Sequence, residues 1–209
     1  MRLACLLLLT SAGSVAAQGP LETKLTIQQG GREIGREEFT LRQGRGGGSA
    51  GITLIAAAHY PAKNPAVKLA ATLERAPDLT LAKFQLDVDG PNGTTVILAA
   101  GSGARLIIRT VAKGSEAGRE LPGGPDIVLL DDQVFSLYCA VTDLATPAGK
   151  SLTAIFPRTN RRAAFVAQRA ADGLVNLSGD IRGSLETDAR GLVSLVLLEP
   201  GIQVSRVKD

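Results

Sequence analysis

From Leu21 onward, apolar and polar residues alternate with a period of two, and turn-forming residues recur every eight to fourteen positions. Within 21–28, Leu21, Thr23, Leu25 and Ile27 share one face while Glu22, Lys24, Thr26 and Gln28 share the other, as in a half-buried strand. Gly30 and Gly31 can take the positive φ angles of a tight turn, so 32–43 is expected to return as the second arm of an antiparallel hairpin. The same alternation predicts strands in 52–60, 66–74, 79–89, 94–100 and 104–112, separated by Pro-, Asp- and Gly-containing turns. A polar, Gly- and Pro-rich stretch follows, through Pro125.

The period then changes. Val134, Leu137, Tyr138, Val141 and Leu144 fall at helical intervals, preceded by Asp131 and Asp132 and followed by Pro147 and Gly149, which predicts one amphipathic helix over 132–144. Strand patterning resumes in 151–157, 162–168, 174–180, 181–187, 192–199 and 202–207, with 187–191 as a turn carrying a left-handed glycine. About a dozen strands and one helix imply a mainly β fold: a single antiparallel sheet curved into a barrel, half-barrel or sandwich. It would form one domain over 18–209, with the glycine-rich 44–51 as its longest linker.

Residues 1–17 change the expected setting. Arg2, the apolar run from Leu3 to Leu9, and Val15-Ala16-Ala17 before Gln18 have the three-part layout of a secretory signal peptide. The run is well short of the about 20 apolar residues that cross a bilayer, so cleavage near Gln18 and a periplasmic or secreted location are expected. Later apolar runs are also too short to span. Cys5 stands at the start of the run and not after it, which argues against a lipidated cysteine.

Cleavage would remove one base, Arg2, and no acid, leaving 22 Lys and Arg against 20 Asp and Glu. With so small an excess, no Trp and no long basic run, nucleic acid is not an expected partner. Arg158, Arg161 and Arg162 form the densest basic patch, read as a charged hairpin turn in preference to an anion site. Cys139 would be the sole remaining cysteine, without a disulfide partner and set among apolar residues as a small core side chain. His59 is the sole histidine, which removes multi-histidine zinc sites. No metal and no cofactor are expected.

Several motifs fail on inspection. Ala148-Gly149-Lys150-Ser151 matches the end of a phosphate-binding loop, but Leu144 stands where its first glycine belongs, so Gly149 is read as a helix stop. Asp87-Val88-Asp89-Gly90 begins like a calcium loop, yet Pro91, Asn92 and Leu98 occupy positions that loop needs for a ligand, a glycine and an acid. Asn92-Gly93-Thr94 and Asn176-Leu177-Ser178 fit the N-glycosylation pattern. Asp131 and Asp132 are expected to cap the helix, and Asp188 to stabilise a turn, ahead of any acid–base role. His59-Tyr60 has no nucleophile or orienting acid beside it in sequence, so no catalytic residue is nominated.

The stretches 127–141, 151–158 and 191–207, with the opening hairpin 28–41, resemble uncharacterised exported bacterial β-rich domains. That resemblance implies a long antiparallel sheet akin in shape to periplasmic lipoprotein or lipid carriers, and no catalytic residues. The leading expectation is an exported, non-catalytic module holding an apolar or lipid-like ligand in its curved sheet, with the helix covering the concave face. Ala56, Ala58, Tyr60, Ala71 and Tyr138 are its candidate ligand-binding residues, the alanines leaving room for the ligand. An adaptor domain that binds another envelope protein is the alternative. An exported hydrolase comes third and would need a pocket joining His59 to a carboxylate and a hydroxyl.

Overall fold

The computed structural model describes residues 22–43 and 51–208. The expected signal peptide, Cys5 and nearly all of the glycine-rich linker lie outside the described residues. Fifteen strands form: β1 (Thr23–Gln29), β2 (Arg32–Gln43), β3 (Ile52–Tyr60), β4 (Val67–Arg75), β5 (Leu81–Gly90), β6 (Gly93–Ser102), β7 (Arg105–Ala112), β8 (Ser115–Pro122), β9 (Ile127–Leu129), β10 (Lys150–Phe156), β11 (Arg161–Arg169), β12 (Val175–Gly179), β13 (Gly183–Asp188), β14 (Gly191–Leu197) and β15 (Ile202–Arg206). Between β9 and β10 lie a 3-10 turn, Phe135–Tyr138, and the helix α1, Cys139–Leu144.

All fifteen strands belong to one open sheet, in the order β8-β7-β6-β5-β4-β3-β2-β1-β15-β14-β13-β12-β11-β10-β9. Two antiparallel meanders, β1 to β8 and β10 to β15, are joined where β1 pairs with β15. Gly30 and Gly31, at φ +57° and +77°, make the β1–β2 hairpin turn, and Gly191, at φ +98°, ends the 187–191 turn, both as the sequence predicts. β9 differs in pairing parallel to β10. Two parallel neighbours cannot be joined by a hairpin, and the crossover they require is the segment 130–149 that contains the helix. The ends of the sheet curl toward each other: β5 touches β9, and Arg119 of β8 donates from Nη2 to the Pro157 carbonyl at 3.2 Å.

The concave face carries the core. Register aligns Phe39, Ala56, Ala71, Leu86 and Ile97 across β2 to β6, and all five are buried. Small side chains in the middle of this rung lower the floor of the sheet, and the 3-10 turn packs against β2 and β3 there. Gly35 serves a similar end: a Cβ at that position would lie 2.2 Å from the Tyr60 ring, which covers the glycine from the neighbouring strand. Gly35→Val is therefore expected to destabilise the fold by about 3 kcal/mol, through overpacking, measured as a lower urea midpoint.

Three sequence expectations change. The polar stretch before Pro125 contains β8, and Ile127–Leu129 forms β9, which extends the expected dozen or so strands to fifteen among the described residues. The predicted helix 132–144 is a 3-10 turn followed by six α-helical residues. Its residues from Val134 to Thr142 are all buried, so the apolar spacing reflects enclosure on every side and not one face of a long surface helix. Gly149, at φ +85°, turns the chain into β10 five residues beyond the last residue of α1, and the helix ends at Ala145 in extended backbone.

Candidate functional site

The helical crossover lies in the hollow of the sheet and is tied down by polar groups at both ends. At its start, the two carboxyl oxygens of Glu37 accept the N–H of Phe135 at 2.7 Å and of Ser136 at 3.0 Å. Glu37 lies on β2 between Gly35 and Phe39 on the inner face and is 0% exposed. Burial raises its pKa to about 7, opposed by hydrogen bonds from Ser136 and Phe135 and reinforced by the Asp131 charge. From the sequence, Asp131 and Asp132 are the expected caps. Asp131 instead accepts the N–H of Gln133 at 2.9 Å, and the first free helical amides go to Glu37.

Asp131 is 1% exposed and forms a two-pronged pair with Arg158, Nε to Oδ2 and Nη2 to Oδ1, both at 2.8 Å. The remaining Nη1 of Arg158 donates to Gln133 Oε1 at 2.8 Å, and Tyr60 Oη donates to the Gln133 carbonyl at 2.9 Å. Burial pushes the Tyr60 phenol well above its ordinary range. Asp132 pairs with Arg161 at 2.5 Å, and the Arg161 guanidinium stacks 3.4 Å from the centre of the Phe156 ring. The basic patch is thus the charged turn between β10 and β11 that the sequence favours, with two of its three cations matched by Asp131 and Asp132.

At the other end, cations meet the carbonyls of the last helical turn, the arrangement that the helix dipole favours. Arg75, 5% exposed, donates to the Ala140 carbonyl at 2.9 Å and to the Leu79 carbonyl. Arg169 donates to the Thr142 carbonyl. Burial lowers the pKa of Arg75 and raises that of Asp143, while each charge favours the other. The Thr142 hydroxyl is buried without a hydrogen-bond partner. Thr142→Val removes that unmet donor at nearly constant shape, and is expected to raise stability by about 1 kcal/mol in thermal or urea unfolding.

Ala56, Ala58, Tyr60, Ala71 and Tyr138 all lie inside the concave face, each buried in one continuous core. Tyr60 and Tyr138 stand on the two sides of the interface between sheet and crossover, and the alanines lie on the floor that the crossover approaches. Beside them, a recess of about 300 Å³ opens where β4 to β7 meet the start of the crossover, lined by Val67, Val88, Ile97, Thr110, Gln133 and Arg158. Cys139 is buried as expected, and burial pushes its thiol up to about 12. Asp188 accepts the Arg190 N–H at 2.8 Å and also pairs with Arg206.

His59 sits on the outer face of β3, in an open depression of about 480 Å³ that also includes Lys68, Asp87, Asp89 and Thr94. The register aligns His59, Lys68, Asp89 and Thr94 on four successive strands, β3 to β6, placing the backbones of His59 and Thr94 about 14 Å apart across the sheet. No hydrogen bond joins His59 to these residues, so the depression does not assemble a nucleophile, base and orienting acid. Among the described residues, no three His, Cys, Asp or Glu side chains converge as metal ligands. No helix among them is long and apolar enough to cross a membrane.

Neither Glu37 nor the Asp131–Arg158 pair is among the residues that the sequence marks as functional. Glu37 was detectable, because it falls in phase with Phe39 and Leu41 on the alternating strand 32–43. The pair was not, because 27 residues and a strand crossover separate its members.

No protein-family model matches the chain, and no curated protein matches it in sequence. Among solved structures, it is similar in fold to a DUF1089 family protein from Pseudomonas aeruginosa, at 15% identity and a TM-score of 0.50, over 77% of this chain and 87% of that one.

Proposed function

We propose that the chain is an exported, non-catalytic binding module that holds an apolar, lipid-like ligand against the concave face of its sheet, with the crossover 130–149 as a displaceable cover. The observation that carries this reading is the way the hollow is filled. A broad apolar floor containing Ala56, Ala58 and Ala71 is covered by a short helical segment, which is fixed at its ends by polar contacts through Glu37, Arg75 and Arg169. Movement of that segment would exchange one apolar surface for another, and only the end contacts oppose it. The recess beside Gln133 and Arg158 is the entry in this reading. The resemblance to exported β-rich domains supports the setting, and the N-terminal pattern of 1–17 supports export.

The test is native mass spectrometry of the mature protein from its own compartment, followed by denaturing extraction. A stoichiometric lipid or other apolar molecule is expected, and an empty protein overturns the reading. A second reading, an adaptor for another envelope protein, is favoured by the edge strand β8, which among the described residues has β7 as its sole sheet neighbour and is largely exposed. Retention of a specific protein by an otherwise empty chain would support that alternative.

A further inference from the structure

We propose that Glu37 is a pH-sensitive latch on the crossover: its protonated carboxyl keeps 135–144 docked in the sheet, and loss of that proton favours release. The proposal rests on the binding reading for its purpose, but not for its physics.

The geometry comes first. Glu37 is wholly enclosed, and its carboxyl oxygens contact the chain at the entry to the helical turn, so water can reach them only if that turn lifts. The groups facing it offset a negative charge only in part: the amides of Phe135 and Ser136 and the Ser136 side chain favour the ionised form, and enclosure, the largest influence, outweighs them. From the crossover, Asp131 adds repulsion, and Cys139 is a neutral thiol. From β3, Tyr60 is a neutral phenol whose hydroxyl is turned to Gln133. The guanidinium of Arg158 is committed to Asp131 and Gln133, and that of Arg206 from β15 is engaged with Asp188.

Linkage sets the direction. Docked, Glu37 titrates near 7; released into water, it returns toward its ordinary 4.5. The docked state therefore binds the proton more tightly, and undocking gives it up. The docking advantage is fully present below 4.5 and is lost as pH rises through 7. The change in equilibrium is bounded at about 300-fold, the ratio that corresponds to those two values. Tyr60, Tyr138 and Cys139 stay neutral throughout this window.

Amide hydrogen exchange of peptides covering 135–144 in the purified mature protein tests the latch. Between pH 5 and pH 8, after correction for intrinsic exchange, wild-type protection is expected to fall about 100-fold while the strands β11 to β14 keep theirs. Glu37→Gln should flatten the profile. Constant wild-type protection overturns the latch, and so does a Glu37→Gln profile with the wild-type slope. If that variant folds poorly, a carboxyl-carbon NMR titration of wild-type Glu37 replaces it: a midpoint near 7 supports the proposal and one near 4.5 ends it. Failure to find a lipid would overturn the binding reading while leaving this result standing.

Discussion

Arg158→Ala is expected to lower the free energy of unfolding by about 3–5 kcal/mol, visible as a large drop in the urea midpoint at unchanged slope. Removing the guanidinium leaves Asp131 as a carboxylate with 1% exposure and takes away its two-pronged partner. It also frees the side chain of Gln133, the residue whose backbone carbonyl anchors Tyr60. Arg158→Lys should recover only part of the loss, because an ammonium is a point charge and cannot span both oxygens of Asp131 and Gln133 in one plane. The double substitution Asp131→Leu with Arg158→Met should lie closer to wild type than Arg158→Ala does, since no buried charge is then left alone. The exposed pair Arg105–Glu120, with side chains 61% and 54% accessible, provides the contrast: Glu120→Gln should change stability by less than about 1 kcal/mol. Equal losses at the two sites would mean that enclosure of Asp131 does not govern the cost.

How far the sequence could be read follows from what each segment touches. Strands buried on one face announce themselves by alternation, and β2 and β3 run where the pattern puts them. β8 is largely exposed and includes Gly118 and Pro122, so no apolar phase marks it; an edge strand needs neither a buried face nor an unbroken row of donors. Its inward-facing Arg119 is turned to the Pro157 carbonyl, so a long side chain aimed at the concave side is polar and interrupts any apolar phase. β9 is three residues long and merges into the apolar stretch of the crossover, which gives the period nothing to act on.

The site was less legible for a related reason. Buried polar residues are recognised by their partners, and these partners are remote in sequence: Glu37 lies 98 residues from Phe135, and Arg75 lies 65 from Ala140. Alternation can flag an acid that falls in phase with the core, as Glu37 does, but only topology reveals that a helical turn arrives above it. On sequence alone, the alanines imply space for a ligand. Their smallness is a fact of the sequence; that a crossover of the same chain approaches them follows from the parallel pairing of β9 with β10, which local pattern does not encode.

The far end of the crossover gives the complementary test. Arg75→Ala withdraws both bonds of a buried guanidinium, leaving the Ala140 and Leu79 carbonyls without that donor, and should destabilise the protein by about 3 kcal/mol. Arg75→Met, which keeps much of the volume without the charge, should recover some of that loss. The distribution matters as much as the size. Arg75 joins the end of α1 to the 76–79 turn that leads into β5, and so links the crossover to the first meander. Arg169 links the same helix to the second meander through Thr142. If these contacts fasten a separable cover, Arg75→Ala will raise amide exchange in 139–144 more than in β3, β4 or β12. Uniform loss of protection across the sheet would mean that crossover and sheet open together, and that the hollow is a core in the ordinary sense and not a seat for a ligand.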